Sequence, residues 1–384
     1  MSPSNKPHPN PSQKIRTEEP ISTMKVLVTG ATGFLGQHLT STLLTQGLTH
    51  PFPSQLPSPP ARHIPPTDLQ VIAIGRNEVK GRKLREMGAV FVGVNLGGEA
   101  GEVEEVLGEV MEGVEVVFHC AAKCELAGRW KDFVSANITA TQHIVSACIT
   151  HAVPLLVHVS TPSIYTCPRD QLSIKEEDVV SLSQQINYYA KSKLMAEHII
   201  HAALQPTPGH PHLKAAVILR PRGITGPNDT TWLPRLVSRI QSGRIPVINN
   251  GKGWMDVTYV GNVIDAMACV ATVGDHVVNG HTYNISNDSP LQMHSLLAHL
   301  ATHLSAHPTP IPLPFWAAYF LGYLSEIIWE GFGIAGEPTL SRYVACVMGK
   351  SLTLDVRRLR EEVGWKPRVS VEEALKLTLE SLGV

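Results

Sequence analysis

The sequence predicts an α/β fold, a doubly wound parallel sheet with a smaller C-terminal lobe. Three observations predict it. Short β-branched runs alternate with helix-length amphipathic segments, three glycines spaced three apart join the first strand to the first helix, and the alternation loosens after about Arg222. A strand followed by a helix returns to the same sheet edge, so each next strand lies parallel to the last.

The elements follow in order. Residues 1–23 hold several prolines with Lys6, Lys14, Arg16, Glu18 and Glu19 but no apolar run. They lack a secretory core and the acid-free pattern of a transit peptide, and are expected to be a disordered extension. Met24 to Thr29 (MKVLVT) is a strand, and Leu35, Leu39, Leu43 and Leu44 set a helical period over Phe34 to Gln46. Residues 47–68 carry a proline-rich run, PFPSQLPSPP, which can form neither a helix nor a central strand. They are expected as a surface excursion at the sheet edge opposite the ligand crevice, without a role in binding.

Further strands are predicted at 71–74, 90–94, 114–118, 155–159 and 215–219, with helices over Asn137–His151 and Tyr188–His201. The chain then divides into residues 24–222, holding the parallel sheet, and residues 223–384, mainly the lobe, with about 256–286 returning to the sheet. No internal repeat is visible.

Composition narrows the function. In 384 residues, 32 Lys and Arg stand against 33 Asp and Glu, a net charge of −1 that provides no field for gathering nucleic acid. With 43% hydrophobic and 17% charged residues, a large core is available. The six cysteines form no CxxC pair, which excludes a disulfide framework and a zinc site and suits reduced thiols in the cytoplasm; no metal is expected. The apolar stretch from Pro314 to Trp329 is interrupted by Ser325 and Glu326 and falls short of the roughly 20 residues of a spanning helix. It reads as a soluble or substrate-covering helix, and residues 312–332 are a candidate for peripheral membrane contact.

Thr29-Gly30-Ala31-Thr32-Gly33-Phe34-Leu35-Gly36 sits between a strand and an amphipathic helix. Glycines there let a pyrophosphate approach backbone N–H groups where the helix dipole favours an anion, so a dinucleotide-binding (Rossmann) domain is predicted over 24–222. The second strand ends Ile74-Gly75-Arg76-Asn77 without a carboxylate for a ribose 2′-hydroxyl. Arg76 is therefore the candidate partner of a 2′-phosphate, favouring NADP with NAD as the alternative; a solvated Arg beside Lys80, Arg82 and Lys83 is the rival reading. Asn95 and Leu96 follow the third strand, Asn95 as an adenine contact or a turn cap.

Tyr189 and Lys193 are four apart on one helix and project from the same face. An adjacent ammonium favours the phenolate of a tyrosine that is otherwise a poor base near neutrality. Tyr188 has Ser192 in that place and is not the candidate. Ser160-Thr161-Pro162-Ser163 puts hydroxyls at the carboxyl end of a strand, where one can bind a reacting oxygen.

With these pieces in order, the chain resembles the extended short-chain dehydrogenase/reductase family. The matching segments are TGATGFLG (29–36), VFHCAAK (117–123), Asn137 with Thr141, STPSIY (160–165), YAKSK (189–193), RPRGITGP (220–227), DVTYV (256–260) and GWKPRVSVEEAL (364–375). RPRGITGPND, WLPRLV (232–237) and GEPTLSRYV (336–344) make it similar to the 3β-hydroxysteroid dehydrogenase branch, with its sterol-4-carboxylate 3-dehydrogenases and 2-alkyl-3-oxoalkanoate reductases.

The resemblance implies roles at matching positions. Tyr189 would be the general acid/base, Lys193 would lower its pKa and hold the nicotinamide ribose, and Thr161 would orient the substrate oxygen, with Asn137 in support. Gly30, Thr32, Gly33, Phe34, Leu35 and Gly36 would cradle the cofactor. Ala121, Ala122 and Lys123 would flank it, and Pro221, Gly223 and Ile224 would lie near its nicotinamide end. Asn95 and Gly261 depart from the family, standing where many relatives have Asp.

The reaction implied interconverts a 3-hydroxy and a 3-keto group on a small apolar substrate. That substrate is a sterol or triterpenoid, in some cases a 4-carboxylate losing CO₂ after oxidation, or a β-keto acid. Phe315, Trp316, Tyr319, Phe320, Tyr323 and Trp329 suit such a ligand or form core. Rival readings are a sugar-nucleotide epimerase and a non-catalytic NADP sensor; Pro162 and Ser163, where dehydratases carry an acidic pair, disfavour elimination. A homodimer and a peripheral site at the endoplasmic reticulum remain open expectations.

Overall fold

Val26 and Val28 of the first strand enter one apolar core and Leu27 the other, and all three are fully buried. A strand covered on both faces is what a helix-sandwiched parallel sheet requires. The computed structural model describes residues 23–52, 62–125, 127–332, 334, 336 and 338–384. The expected extension, apart from Thr23, and the middle of the proline-rich run, 53–61, lie outside them.

The sheet has seven strands: β1 (Met24–Thr29), β2 (Leu69–Gly75), β3 (Val90–Gly93), β4 (Val114–His119), β5 (Leu155–Val159), β6 (Ala216–Pro221) and β7 (Thr282–Ile285). Their order is β7-β6-β5-β4-β1-β2-β3, and every neighbouring pair is parallel. Helices α1 (Phe34–Gln46), α2 (Glu78–Glu86), α3 (Ala100–Val110), α4 (Ala140–Thr150), α5 (Tyr188–Ala203) and α6 (Val260–Thr272) accompany it. The order reverses between β1 and β4, and a crevice opens at the carboxyl ends of the strands there.

The C-terminal part packs its own core from Leu233, Ile240, Leu296, Leu300 and Leu379. A small sheet orders Leu291–Gln292, Trp254–Met255, Leu352–Leu354 and Gln171–Ile174. Helix Phe315–Gly331 buries only Ala318 and Gly322, against Arg342–Gly349; a Cβ on Gly322 would lie 2.5 Å from Ser341 C. Among the described residues no helix is long and apolar enough to cross a membrane.

Two expectations are corrected. The proline-rich segment is rooted in the fold: Leu48–Thr49 pairs antiparallel with His63–Ile64, and Leu48, His50 and Phe52 are buried. The His50 Nε2 contact with Val363 O at 3.0 Å ties that root to the C-terminal part of the chain. The helix expected from Asn137 starts earlier, as regular α-helix at Trp130–Phe133, passes through a π turn over Val134–Thr139 and is regular again from Ala140. At Gly261, the departure from the family pattern is covered by its neighbour. Asn262 Nδ2 donates to Asn287 Oδ1 and Val369 O, both at 2.8 Å, while its Oδ1 accepts from Arg368 N and Val369 N.

Candidate active site

The glycine turn is shaped by contact distance. Gly30 has φ +67°, and a Cβ there would lie 2.7 Å from Ala121 N; one on Gly36 would lie 2.2 Å from Gly30 O. These two glycines let α1 start directly against the ends of β1 and β4. Gly33 caps α1 without a side-chain bond, and no acidic residue occupies the first turn. The leading N–H groups and the positive end of the dipole therefore face the crevice without a competing anion, which fits a pyrophosphate. Thr32 packs on Gly75, and Phe34 and Leu35 open the helix.

Beside that turn, Arg76 is exposed just past β2. Lys80, seen by sequence only as part of a charged loop, reaches back so that its Nζ donates to Thr32 O at 3.2 Å. Asn77 caps α2 by accepting from Lys80 N. Asn95 is exposed and its carbonyl accepts from Gly98 N in a turn, while Leu96 is buried with its carbonyl 2.8 Å from His143 Nδ1.

Behind the crevice a buried polar chain locks the strand ends together. Thr141 Oγ1 donates to Asn137 O, so it accepts from His119 Nε2–H at 3.0 Å; His119 Nδ1 then accepts from Thr29 Oγ1 at 2.8 Å. Burial, with Lys193 nearby, holds the His119 imidazole down at about 3, so it stays in this neutral tautomer. Thr29 Oγ1 also accepts from Ala121 N.

Asn137, in the π turn, spends its amide on two segments. Its Oδ1 accepts from Lys123 N at 2.7 Å, and its Nδ2 donates to Lys123 O at 3.1 Å and to Ser192 Oγ at 2.8 Å. It thereby holds the Ala121-Ala122-Lys123 segment against α5. The Lys123 ammonium pairs with Glu125 over the Phe133 ring.

Helix α5 starts at Asn187, whose Oδ1 accepts from Ala190 N. Further along, Glu197 forms a buried two-pronged pair with Arg220 of β6 at 2.9 and 2.5 Å, fixing the helix to the sheet. Between them, Lys193 is fully buried; its Nζ donates to Val159 O at 2.7 Å and lies 3.0 Å from His158 Nε2. Burial lowers its ammonium to about 8, opposed by Cys124 and Glu197. The Tyr189 hydroxyl stands beside Thr161 and the Cys124 thiol. Burial pushes the Tyr189 phenol well above its ordinary value, and the neighbouring Thr161 hydroxyl works against that shift.

The structure thus brings Thr161, Tyr189 and Lys193 together at the end of β5, with Asn137 one layer behind. Beyond β6, Gly223 has φ +53° and its carbonyl accepts from Thr258 N; Pro221 closes β6, and Ile224 pairs with Thr258. Sequence reading missed His158, Cys124 and Tyr343 as neighbours of the acid/base pair. Tyr343 lies 2.8 Å from Ser163 Oγ across 180 residues of chain, and no local spacing could have revealed it.

Comparisons with known proteins come from the same direction. Residues 26–286 match the NAD dependent epimerase/dehydratase family. A 2-alkyl-3-oxoalkanoate reductase of Stenotrophomonas maltophilia is 31% identical, over 92% of this chain and 98% of that protein. A decarboxylating sterol-4-alpha-carboxylate 3-dehydrogenase of Mus musculus is 25% identical, over 93% and 90%. Among solved structures, MoeE5 in complex with UDP-glucose and NAD superposes with a TM-score of 0.68 at 20% identity, covering 94% of this chain and 98% of that one, a likeness of fold.

Proposed function

The chain belongs to the NAD dependent epimerase/dehydratase family, and within it we propose an oxidoreductase that interconverts a 3-hydroxy and a 3-keto group on an apolar substrate with NADP. The observation that carries this reading is the contact of the Tyr189 hydroxyl with Thr161 one helical turn from Lys193, beside an uncapped helix α1. A nicotinamide cofactor supplies the hydride acceptor or donor. The first turn of α1 would hold its pyrophosphate, Arg76 and Lys80 its 2′-phosphate, and Lys193 its ribose.

In oxidation Tyr189, as phenolate, takes the proton of the substrate hydroxyl; in reduction it returns one to the carbonyl oxygen. Thr161 donates to that oxygen and fixes its direction. Lys193 holds positive charge near the phenolate, and the Asn137 clamp keeps the Lys123 segment and α5 at constant separation. The residues after Thr161 are Pro162 and Ser163, both buried and uncharged, so no carboxylate follows Thr161 to drive an elimination.

The reading takes the apolar body of the substrate to the C-terminal part of the chain. There Phe315, Trp316, Tyr319, Phe320 and Tyr323 with Arg342 line an open cavity of about 470 Å³. The names of the reductase and the sterol dehydrogenase relatives support a β-hydroxy or β-keto acid unit. A β-keto acid formed by oxidation loses CO₂ through its enol, so decarboxylation follows from substrate choice.

Helix Phe315–Gly331 also turns Trp316, Phe320, Leu324, Ile327 and Ile328 outward. Its only two charges are engaged, Glu326 by Arg342 and Glu330 by Tyr188. An uncharged aromatic and aliphatic face suits peripheral contact with a lipid surface, through which an apolar substrate would reach the site.

The test is a panel of 3-hydroxysterols, sterol-4-carboxylates, 2-alkyl-3-oxoacids and UDP-sugars, followed at the nicotinamide absorbance with NADP and NAD. Cofactor-coupled turnover of a 3-hydroxy or 3-keto compound is expected. Turnover of a UDP-sugar without net change in nicotinamide, and of nothing else, would replace this reading by epimerisation.

A further inference from the structure

Four hydroxyl groups from three distant parts of the chain form one line. The Tyr189 hydroxyl stands beside Thr161, Thr161 Oγ1 lies 3.0 Å from Ser163 Oγ, and Ser163 Oγ lies 2.8 Å from Tyr343 OH. Thr161, Ser163 and Tyr343 are all buried, so bulk water does not compete for these bonds. The far end is firmly placed. Ser341 caps helix Arg342–Gly349 by accepting from Val344 N, and Glu326 accepts from both Arg342 N and Arg342 Nε at 2.7 and 2.6 Å.

We propose that Tyr343 is a positioning residue for Tyr189, acting through Ser163 and Thr161. With no substrate bound, so that the Thr161 proton is free for the line, the proton count allows two polarities. When Tyr189 is a phenol it donates to Thr161, Thr161 to Ser163 and Ser163 to Tyr343. When Tyr189 is a phenolate the bonds reverse: Tyr343 donates to Ser163, Ser163 to Thr161, and Thr161 to the Tyr189 oxygen. Ser163 N donates to Thr161 Oγ1 at 3.1 Å in both states and keeps that oxygen in line.

Each bond in a buried chain polarises the next, and a bond ending on an anion is strengthened most. The neutral hydroxyl of Tyr343 therefore favours the ionised acid/base residue through this line, whereas a second phenolate at Tyr343 would oppose it by like-charge repulsion. Tyr343 stands in the C-terminal part of the chain and Tyr189 on a helix of the parallel sheet. The line is complete only while those two parts are seated together.

This inference rests on Tyr189 being the acid/base residue, and its test needs no substrate. The ultraviolet absorbance of tyrosinate is titrated in the NADP⁺-loaded protein, and the curve of Tyr189→Phe is subtracted to isolate Tyr189. Tyr343→Phe and Ser163→Ala are each expected to raise the Tyr189 midpoint by about 0.5 pH unit, with NADP⁺ affinity unchanged. Ser163→Thr, which keeps the hydroxyl, is expected to restore it. The double variant Ser163→Ala/Tyr343→Phe should shift no further than Ser163→Ala alone, because both act on one line.

An unchanged midpoint in folded, NADP⁺-binding Tyr343→Phe overturns the proposal, and so do single shifts that add in the double variant. Should Tyr343→Phe not fold, the Ser163→Ala shift and its restoration by threonine decide. An inactive substrate panel would count against the proposed reaction and leave this titration readable.

Discussion

Lys193 Nζ lies 3.0 Å from His158 Nε2, so the ammonium beside the candidate acid/base rests on a neutral ring and a carbonyl, with no carboxylate in hydrogen-bond contact. Burial holds His158 well below its ordinary value, so the ring accepts and does not compete for the proton. His158 Nδ1 is left buried without a partner, a cost the fold carries to keep the acceptor in place.

Stability should follow the Lys193 proton. Its folded value of about 8 lies below the ordinary 10.5, so between those pH values the unfolded chain binds more protons and the Lys193 contribution to stability rises with pH. At pH 7 the buried ammonium is a cost that Lys193→Met removes. The stability advantage of Lys193→Met over the natural chain is expected to shrink by roughly 2 kcal/mol between pH 7 and pH 9.5, read from urea midpoints. A constant difference would show that Lys193 keeps its proton throughout.

Tyr189→Phe should bind NADP with unaltered affinity and lose turnover by about 10³-fold, the scale of a positioned general acid or base. Fluorescence titration and steady-state rates separate the two quantities. Retained turnover would place the proton transfer on another group.

Arg76→Ala and Lys80→Ala should each weaken NADPH by about tenfold or more while NADH changes little, since a charged hydrogen bond to a phosphate contributes about 1.5–3 kcal/mol. Calorimetric dissociation constants for both cofactors check this. Equal weakening of the two would remove the residue from the 2′-phosphate.

Asn137→Ala deletes three hydrogen bonds and leaves the Lys123 N–H and C=O without partners. A loss of about 2–4 kcal/mol in unfolding free energy is expected, together with a higher KM for NADP. Asn137→Asp, which keeps only the acceptor, should lie between Ala and the natural residue.

Trp316→Glu should reduce co-sedimentation with phosphatidylcholine vesicles by about tenfold, because the outward face loses a large apolar side chain. Equal sedimentation of both proteins would mean that this face does not meet lipid.

The α/β class, the glycine turn and the Tyr189–Lys193 pair were legible in the amino-acid sequence, because each is written in a short local stretch. Short β-branched runs mark the strands, a period of 3.6 the helices, and a spacing of four puts two side chains on one helical face. The family resemblance placed Asn137, but its partners Lys123 and Ser192 could not be read, since a π turn has no period of its own in the sequence. The proline-rich segment misled for a related reason: prolines forbid ladders where they stand and say nothing of Leu48, His50 and Phe52 at its root, which the core buries. Only tertiary structure decided that Lys80 reaches the glycine turn, that His158 receives Lys193, and that Tyr343 closes on Ser163. These contacts join segments far apart in the chain: packing of helices on the sheet fixes the first two, and seating of the C-terminal part against the sheet fixes the third, where no spacing along the chain encodes them.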